Sequence, residues 1–318
     1  MDFSYLLPNW LWISAAALLG LVVGSFLNVV VHRLPQILQQ RWANEARNIL
    51  HEPGAAANGA PDPIATPATS ATAQHDSAPA QNSQTYHLHW PPSHCPHCRT
   101  RLRPSENIPL ISYLLQHGKC RSCAQPISLR YPALELLSAG VAATGVAVLG
   151  VNAQAAVIVA VSWLLIAAAA IDAKHYLLPD CLTIPLLWAG LLWSASAPAG
   201  AVAPAGAVPP APAEAIIGAI SGYLSLWLIY HAHRLLTGRE GMGYGDFKIT
   251  AALGAWLGWQ LLPQLVLLAA AAGLIVAVVM ALRAQPLNQA IPFGPMLAAA
   301  GWYLLLFGDP LSLWLQVA

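Results

Sequence analysis

The chain has 318 residues, of which 57% are hydrophobic and only 8% charged, where soluble domains carry about 25% charged residues. Its formal net charge is +1, which argues against a polyanionic partner and so against nucleic-acid binding. Length alone suggests two soluble domains, but the charge-free stretches are too long for that reading.

The first such stretch, 11–31, has no charged residue, and 136–171 runs for 36 residues without one. A membrane-spanning helix needs roughly 20 mainly apolar residues, so 11–31 predicts one span and 136–171 a helical hairpin. Asn152 and Gln154, just after Gly150, mark the turn of that hairpin. Further spans are expected at 181–197, 215–231, 249–262, 264–282 and 295–314. The fold class is therefore all-α and polytopic, with about eight transmembrane helices. The first span lacks a basic n-region and has no A-x-A cleavage site behind it, so it is expected to be a retained helix.

Basic residues concentrate in cytoplasmic loops. None precedes Arg33, nine of the fourteen fall between Arg33 and Arg130, and the rest are Lys174, Arg234, Arg239, Lys248 and Arg283. Eight spans with the N-terminus outside place all fourteen on the cytoplasmic side. The segment 51–84 is mostly Ala, Pro, Thr, Asn, Ser and Gln, too poor in large apolar residues to fold, and is expected to be a disordered insert. The run 198–213 contains five prolines and reads as a semi-extended outer loop. The expected division is 1–34 as first helix, 35–131 as a small cytoplasmic domain between helices 1 and 2, and 132–318 as a membrane domain of about seven helices.

The cytoplasmic segment carries the first chemical signal. Cys95-Pro-His-Cys98 and Cys120-Arg-Ser-Cys123 are two C-x2-C pairs separated by 21 residues (99–119). Four thiolates at such spacing suit tetrahedral zinc, which would staple a small domain too poor in apolar residues to fold alone. The plainest role for the metal is thus structural. Disulfide pairing suits a reducing compartment less well. His94 and His97 lie beside the first pair, but four cysteines already close the shell. Cys181 stands alone in an expected span and reads as a small apolar core residue.

The second signal is acidic. Charges within or beside membrane helices are costly and are functional candidates. Asp172 ends the apolar run that begins at Val161, and Asp246 lies in the glycine-rich Gly241-Met-Gly-Tyr-Gly-Asp246 just before the expected sixth span. Both fall on the same face in the derived topology. Two carboxylates that meet and share a proton can activate water against a peptide bond. Helix capping competes with that reading. Asp180 follows Pro179 and opens the fourth span, where an N-cap is wanted, and Asp246 could cap the sixth. Glu135 and Glu240, each with a basic neighbour within five residues, read as structural or substrate-facing.

These motifs together resemble the prepilin peptidase family, the type IV leader peptidases and N-methyltransferases of bacterial inner membranes. The resemblance is carried by Gly24-Ser-Phe-Leu-Asn-Val-Val-Val-His-Arg-Leu-Pro35, both cysteine pairs and Glu106-Asn-Ile-Pro-Leu-Ile-Ser-Tyr113. It continues through Arg130-Tyr-Pro-Ala-Leu-Glu135, Ile171-Asp172, Leu178-Pro-Asp180, Gly241 to Asp246 and Ile291-Pro-Phe-Gly-Pro295. It implies that Asp172 and Asp246 are the catalytic pair of an aspartic endopeptidase. It also implies that the substrates are prepilins or pseudopilins, whose basic leader is cut after a glycine on the cytoplasmic face. The new N-terminus would then be methylated from S-adenosylmethionine, although the chain has no G-x-G-x-x-G loop and no residue can be named for that step. Two other classes compete. A membrane thiol–disulfide oxidoreductase would use the C-x2-C pairs, but the charge bias places them inside. A transporter would bury ionisable groups at mid-membrane, whereas these lie at its rim.

Overall fold

The computed structural model describes residues 8–51, 87–88, 90, 92–196, 208–239, 241–283 and 291–309. Among them are nine α-helices and no strand beyond two isolated β-bridges. Eight are the expected apolar helices: α1 (Asn9–His51), α3 (Arg130–Leu149), α4 (Ala153–His175), α5 (Asp180–Ser196), α6 (Pro212–Thr237), α7 (Tyr244–Leu257), α8 (Leu262–Leu282) and α9 (Gly294–Phe307). The remaining one, α2 (Ile111–Leu115), lies in the segment between α1 and α3 that also carries the cysteines. The all-α polytopic class and the placement of the four-cysteine segment hold.

Five helices (α1, α3, α4, α6 and α8 with the turn before it) are long and apolar enough to cross a membrane. The others are shorter, 17 residues in α5 and 14 in each of α7 and α9, so eight separate crossings do not follow from length. Helix α1 overruns its expected end. It continues unbroken through Pro35 to His51, so the boundary expected at 34 falls inside a continuous helix. The expected insert 51–84 lies, beyond His51, outside the described residues. So do Glu240 and most of the outer loop 198–213.

Local chemistry explains most of the helix ends. The α3–α4 hairpin turns where expected: Gly150 adopts φ 75°, and the Asn152 side chain accepts a hydrogen bond from Ala155 N at 2.8 Å while donating to Leu149 O at 2.7 Å. Helix α7 ends at Leu257 rather than 262, because Gly258 takes a left-handed φ of 76° and Trp259–Leu261 forms a 3-10 turn. Pro263 sits in the first turn of α8, where its missing N–H costs nothing.

Close helix approach depends on small residues, since in lipid there is little hydrophobic drive between apolar helices. On α1, a Cβ at Gly24 would stand 2.6 Å from Glu135 Cα, so α1 and α3 pack nearly backbone to backbone. Gly218 of α6 and Gly254 of α7 meet the same way. Helix α7 is the buried centre of the bundle, covered by α5, α6 and α9, and every residue from Ile249 to Leu257 is buried. Gly190 of α5 leaves room for Trp256, whose indole N–H donates to Leu186 O at 2.8 Å and so leaves no unpaired buried donor there.

Candidate functional site: a two-carboxylate cleft and a four-thiol cluster

Asp172 and Asp246 belong to different helices and reach the same cleft. Asp172 lies one turn before the C-terminus of α4 and Asp246 in the first turn of α7, and both are buried, at 6% and 7% exposure. Helix α4 stops just beyond Asp172 because Tyr176 adopts a left-handed φ of 52° and returns its N–H to Asp172 O at 2.9 Å. The start of α7 is set by Gly243, whose extended backbone precedes the first turn. Gly245 fits against Leu178, where an added Cβ would stand 2.7 Å from Leu178 Cβ.

The cleft between these ends has a volume of about 440 Å³ and is lined by both aspartates together with Tyr176, Leu178, Tyr244 and Lys248. The two carboxylates are near enough for the charge of Asp172 to act on Asp246. Gly294, at the start of α9, donates its N–H to Asp172 Oδ2 at 3.1 Å. A buried carboxylate held by one amide, facing a second carboxylate across an open cleft, can exchange protons with a bound water.

Two sequence expectations change here, and a third is made specific. Asp180 is not an N-cap: it is the first residue of α5, and its Oδ1 pairs with Lys248 Nζ at 2.6 Å on the rim of the cleft. Its charge still suits a helix N-terminus, but its partner is a side chain of α7. Cys181, expected in the core, is exposed and lines the same cleft, because it faces outward from the first turn of α5. Glu135, read from the sequence as structural or substrate-facing, has a structural partner. It is buried and accepts a hydrogen bond from Leu110 N at 2.8 Å, tying the cysteine segment to α3.

Two further contacts were not foreseen. The role of Gly294 was hidden, although it lies in the Pro-Phe-Gly-Pro run already singled out. Arg33, buried at the end of the apolar part of α1, donates to His87 O at 3.3 Å and Leu88 O at 3.0 Å. Nothing local in the sequence signals either contact.

The four cysteines converge, with their sulfur atoms all within 4.8 Å of one another. They sit on two knuckles with the same backbone. In the first, Cys95 N donates to Thr100 O and Arg99 N to Cys95 O; in the second, Cys120 N donates to Gln125 O and Ala124 N to Cys120 O. Arg99 and Ala124 each take φ 57°, and the bridges His94–Arg101 and Lys119–Pro126 close the two turns. Both residues follow the second cysteine of their pair in a conformation that usually selects glycine, so neither knuckle looks like a turn from composition.

Cys95 Sγ and Cys123 Sγ are 3.8 Å apart, far beyond a disulfide bond of about 2.05 Å. A tetrahedron of thiolates with metal–sulfur bonds of about 2.3 Å has edges of about 3.8 Å, so the spacing fits a four-coordinate ion. The side chain and the amide of Thr100 hold the Cys98 thiol down to about 6. Cys123, despite a backbone hydrogen bond from Gln125, is pushed up to about 12 by burial and by the Cys120, Cys98 and Cys95 sulfurs. Four crowded sulfurs cannot all ionise without a cation among them, and these residues can hold a metal ion.

Comparison with known proteins agrees with this architecture. Residues 18–149 match the bacterial peptidase A24 N-terminal domain, and residues 158–278 match the type IV leader peptidase family. The chain is similar to the prepilin leader peptidase/N-methyltransferase of Aeromonas hydrophila, with 43% identity over 99% of this chain and 97% of that protein. It is 43% identical to the Pseudomonas aeruginosa protein of the same name, over 93% of this chain and 90% of the relative. A Burkholderia pseudomallei relative with that name is 45% identical over 96% of this chain and 89% of its own length. No solved structure matches the chain. The thiol–disulfide oxidoreductase alternative finds no support in any of these matches. With an N-terminal and a C-terminal family match in order and near-complete alignment to these relatives, the chain belongs to the type IV leader peptidase family, a family of enzymes.

Proposed function

We propose that the chain is an aspartic endopeptidase of the bacterial inner membrane that uses Asp172 and Asp246 to cut the basic leader from prepilins or pseudopilins, after a glycine and on the cytoplasmic face. The observation that carries this reading is the meeting of two buried carboxylates from α4 and α7 in one open cleft. One carboxylate takes a proton from a water held between the pair while the other, protonated, hydrogen-bonds the scissile carbonyl oxygen. The water oxygen adds to the carbonyl carbon as the carbonyl oxygen takes the proton of the second carboxyl, giving a tetrahedral diol. Collapse of the diol breaks the C–N bond: one diol hydroxyl returns its proton to the second carboxylate, and the departing amine takes the proton that the first carboxylate had removed. The Gly294 amide fixes the Asp172 carboxylate through this cycle.

The N-terminus lies outside, as the distribution of basic residues implies, and the cleft opens to the cytoplasm. The functional division is 1–34, 35–131 and 132–318, with the first boundary inside α1. Cys95, Cys98, Cys120 and Cys123 hold a structural zinc ion, which supplies folding energy to the inserted domain and no chemistry to the cleft. The exposed N-terminal amine of the product then receives a methyl group from the sulfonium of S-adenosylmethionine, a step supported by the names of the relatives. The test is incubation of the purified protein with a prepilin, with and without S-adenosylmethionine, read by mass spectrometry. Release of the leader without the methyl donor, and one added methyl group only with it, is the expected result. An intact prepilin in both arms overturns the reading.

A further inference from the structure

The inserted segment carries a surface that neither the carboxylate cleft nor the metal site uses. Between residues 92 and 130 lie six exposed basic residues, Arg99, Arg101, Arg103, Lys119, Arg121 and Arg130, against one acid, Glu106. A divalent ion on four thiolates adds a charge of −2, so six positive charges face three negative and the segment keeps about +3. The near-neutral charge of the whole chain conceals this local excess.

Next to these cations the segment exposes apolar side chains. Ile108, Ile111, Leu114 and Leu115 all project into solvent, Leu115 with 76% of its surface. A cleft of about 450 Å³ separates this ridge from the second knuckle, and its lining includes Ser105, Glu106, Ser112, Leu115, Lys119 and Arg121. Arg121 meets Glu106 only at 3.7 Å and keeps its guanidinium largely in solvent.

The level of this surface along the bundle is fixed by a hydrogen bond. Leu110, the residue before α2, donates its N–H to Glu135, five residues into α3 and so about 7.5 Å past its first residue. Helix α3 is one of the helices long and apolar enough to cross the membrane, so α2 stands beside the end where α3 enters the bilayer. Apolar side chains exposed at that level, bordered by cations and a polar cleft, match the boundary between acyl chains and charged headgroups.

We propose that this surface docks on the leaflet that α3 enters and holds an anionic phosphodiester headgroup there. The Ile111, Leu114 and Leu115 side chains sink toward the acyl chains, and Lys119 and Arg121 pair with the headgroup phosphate in the cleft. The bilayer thereby fixes the inserted domain over the membrane independently of any substrate.

Hydrogen exchange on the full-length protein in nanodiscs tests this. Amides of residues 111–116 should exchange more slowly in discs of phosphatidylglycerol and phosphatidylcholine than in phosphatidylcholine alone. Each basic residue at an anionic surface contributes about fivefold, so the double variant Lys119→Gln/Arg121→Gln should lose about tenfold or more of that protection. Retained metal content in the variant shows that the knuckles remain folded. Leu114→Ser/Leu115→Ser, farther from the thiols, should lose the protection as well. Equal exchange in both lipids overturns the proposal. So does protection in phosphatidylcholine discs brought about by inorganic phosphate alone, which would make the cleft a free-anion site. Protection that arises only when a prepilin is added overturns it too, and would assign the ridge to substrate.

Discussion

The Gly294 amide donates to Asp172 Oδ2 at 3.1 Å across 122 residues of sequence. The same glycine has no room for a side chain, since a Cβ there would stand 2.6 Å from that carboxylate oxygen. Gly294→Ala should therefore push the Asp172 carboxylate out of register. The expected loss in kcat is about tenfold or more, because a misplacement of even about 1 Å at a catalytic group is costly. Overpacking should also lower stability by about 1–3 kcal/mol, so the kinetics are compared at a temperature where the variant stays folded. Unchanged cleavage kinetics in this variant would mean that the amide does not position the acid.

Asp172→Asn and Asp246→Asn should each abolish cleavage while leaving the protein inserted and its metal bound. The double variant should be no worse than either single one, as for residues that act as a unit. On the proposed mechanism, with one proton shared between two carboxylates, the pH–rate profile should be bell-shaped, and both limits belong to the pair rather than to either residue. Cleavage by both single variants would remove the aspartic mechanism.

Asp180 serves as the internal control. Its ion pair with Lys248 is about half exposed on both sides, so a double-mutant cycle between Asp180→Asn and Lys248→Gln should give a coupling of at most about 1 kcal/mol. Cleavage should persist in Asp180→Asn. If that variant is dead while Asp172→Asn is active, the assignment of the first aspartate is wrong.

Replacing any one of Cys95, Cys98, Cys120 or Cys123 with Ser should lower the bound zinc measured by elemental analysis and loosen the inserted domain. Zinc should also leave as the pH falls, because protons compete with the ion for thiolates, and Cys98, held down to about 6, should be among the last to be protonated. Peptidase activity should outlast the metal, since the aspartates are on α4 and α7, outside the cysteine segment. Wild-type protein that contains no metal yet keeps a folded domain and four intact thiols would sink the zinc assignment.

The sequence by itself determined the membrane class, the order of the apolar helices, the hairpin at Asn152 and the four thiols, because each is written in local composition or short spacing. It also singled out Asp172 and Asp246, since isolated charges beside long apolar runs stand out. It misjudged Asp180 and Cys181, whose surroundings are set by α7 and by the cleft rather than by their own helix. Only the tertiary structure brought the two aspartates to one cleft and the Gly294 amide to Asp172. It alone showed the matching left-handed turns at Arg99 and Ala124 and the tie between Glu135 and Leu110. The contacts between helices depend on how segments distant in sequence pack through small residues such as Gly24, Gly218 and Gly254. Close approach of that kind is decided by shape complementarity between surfaces, which no single stretch of sequence contains.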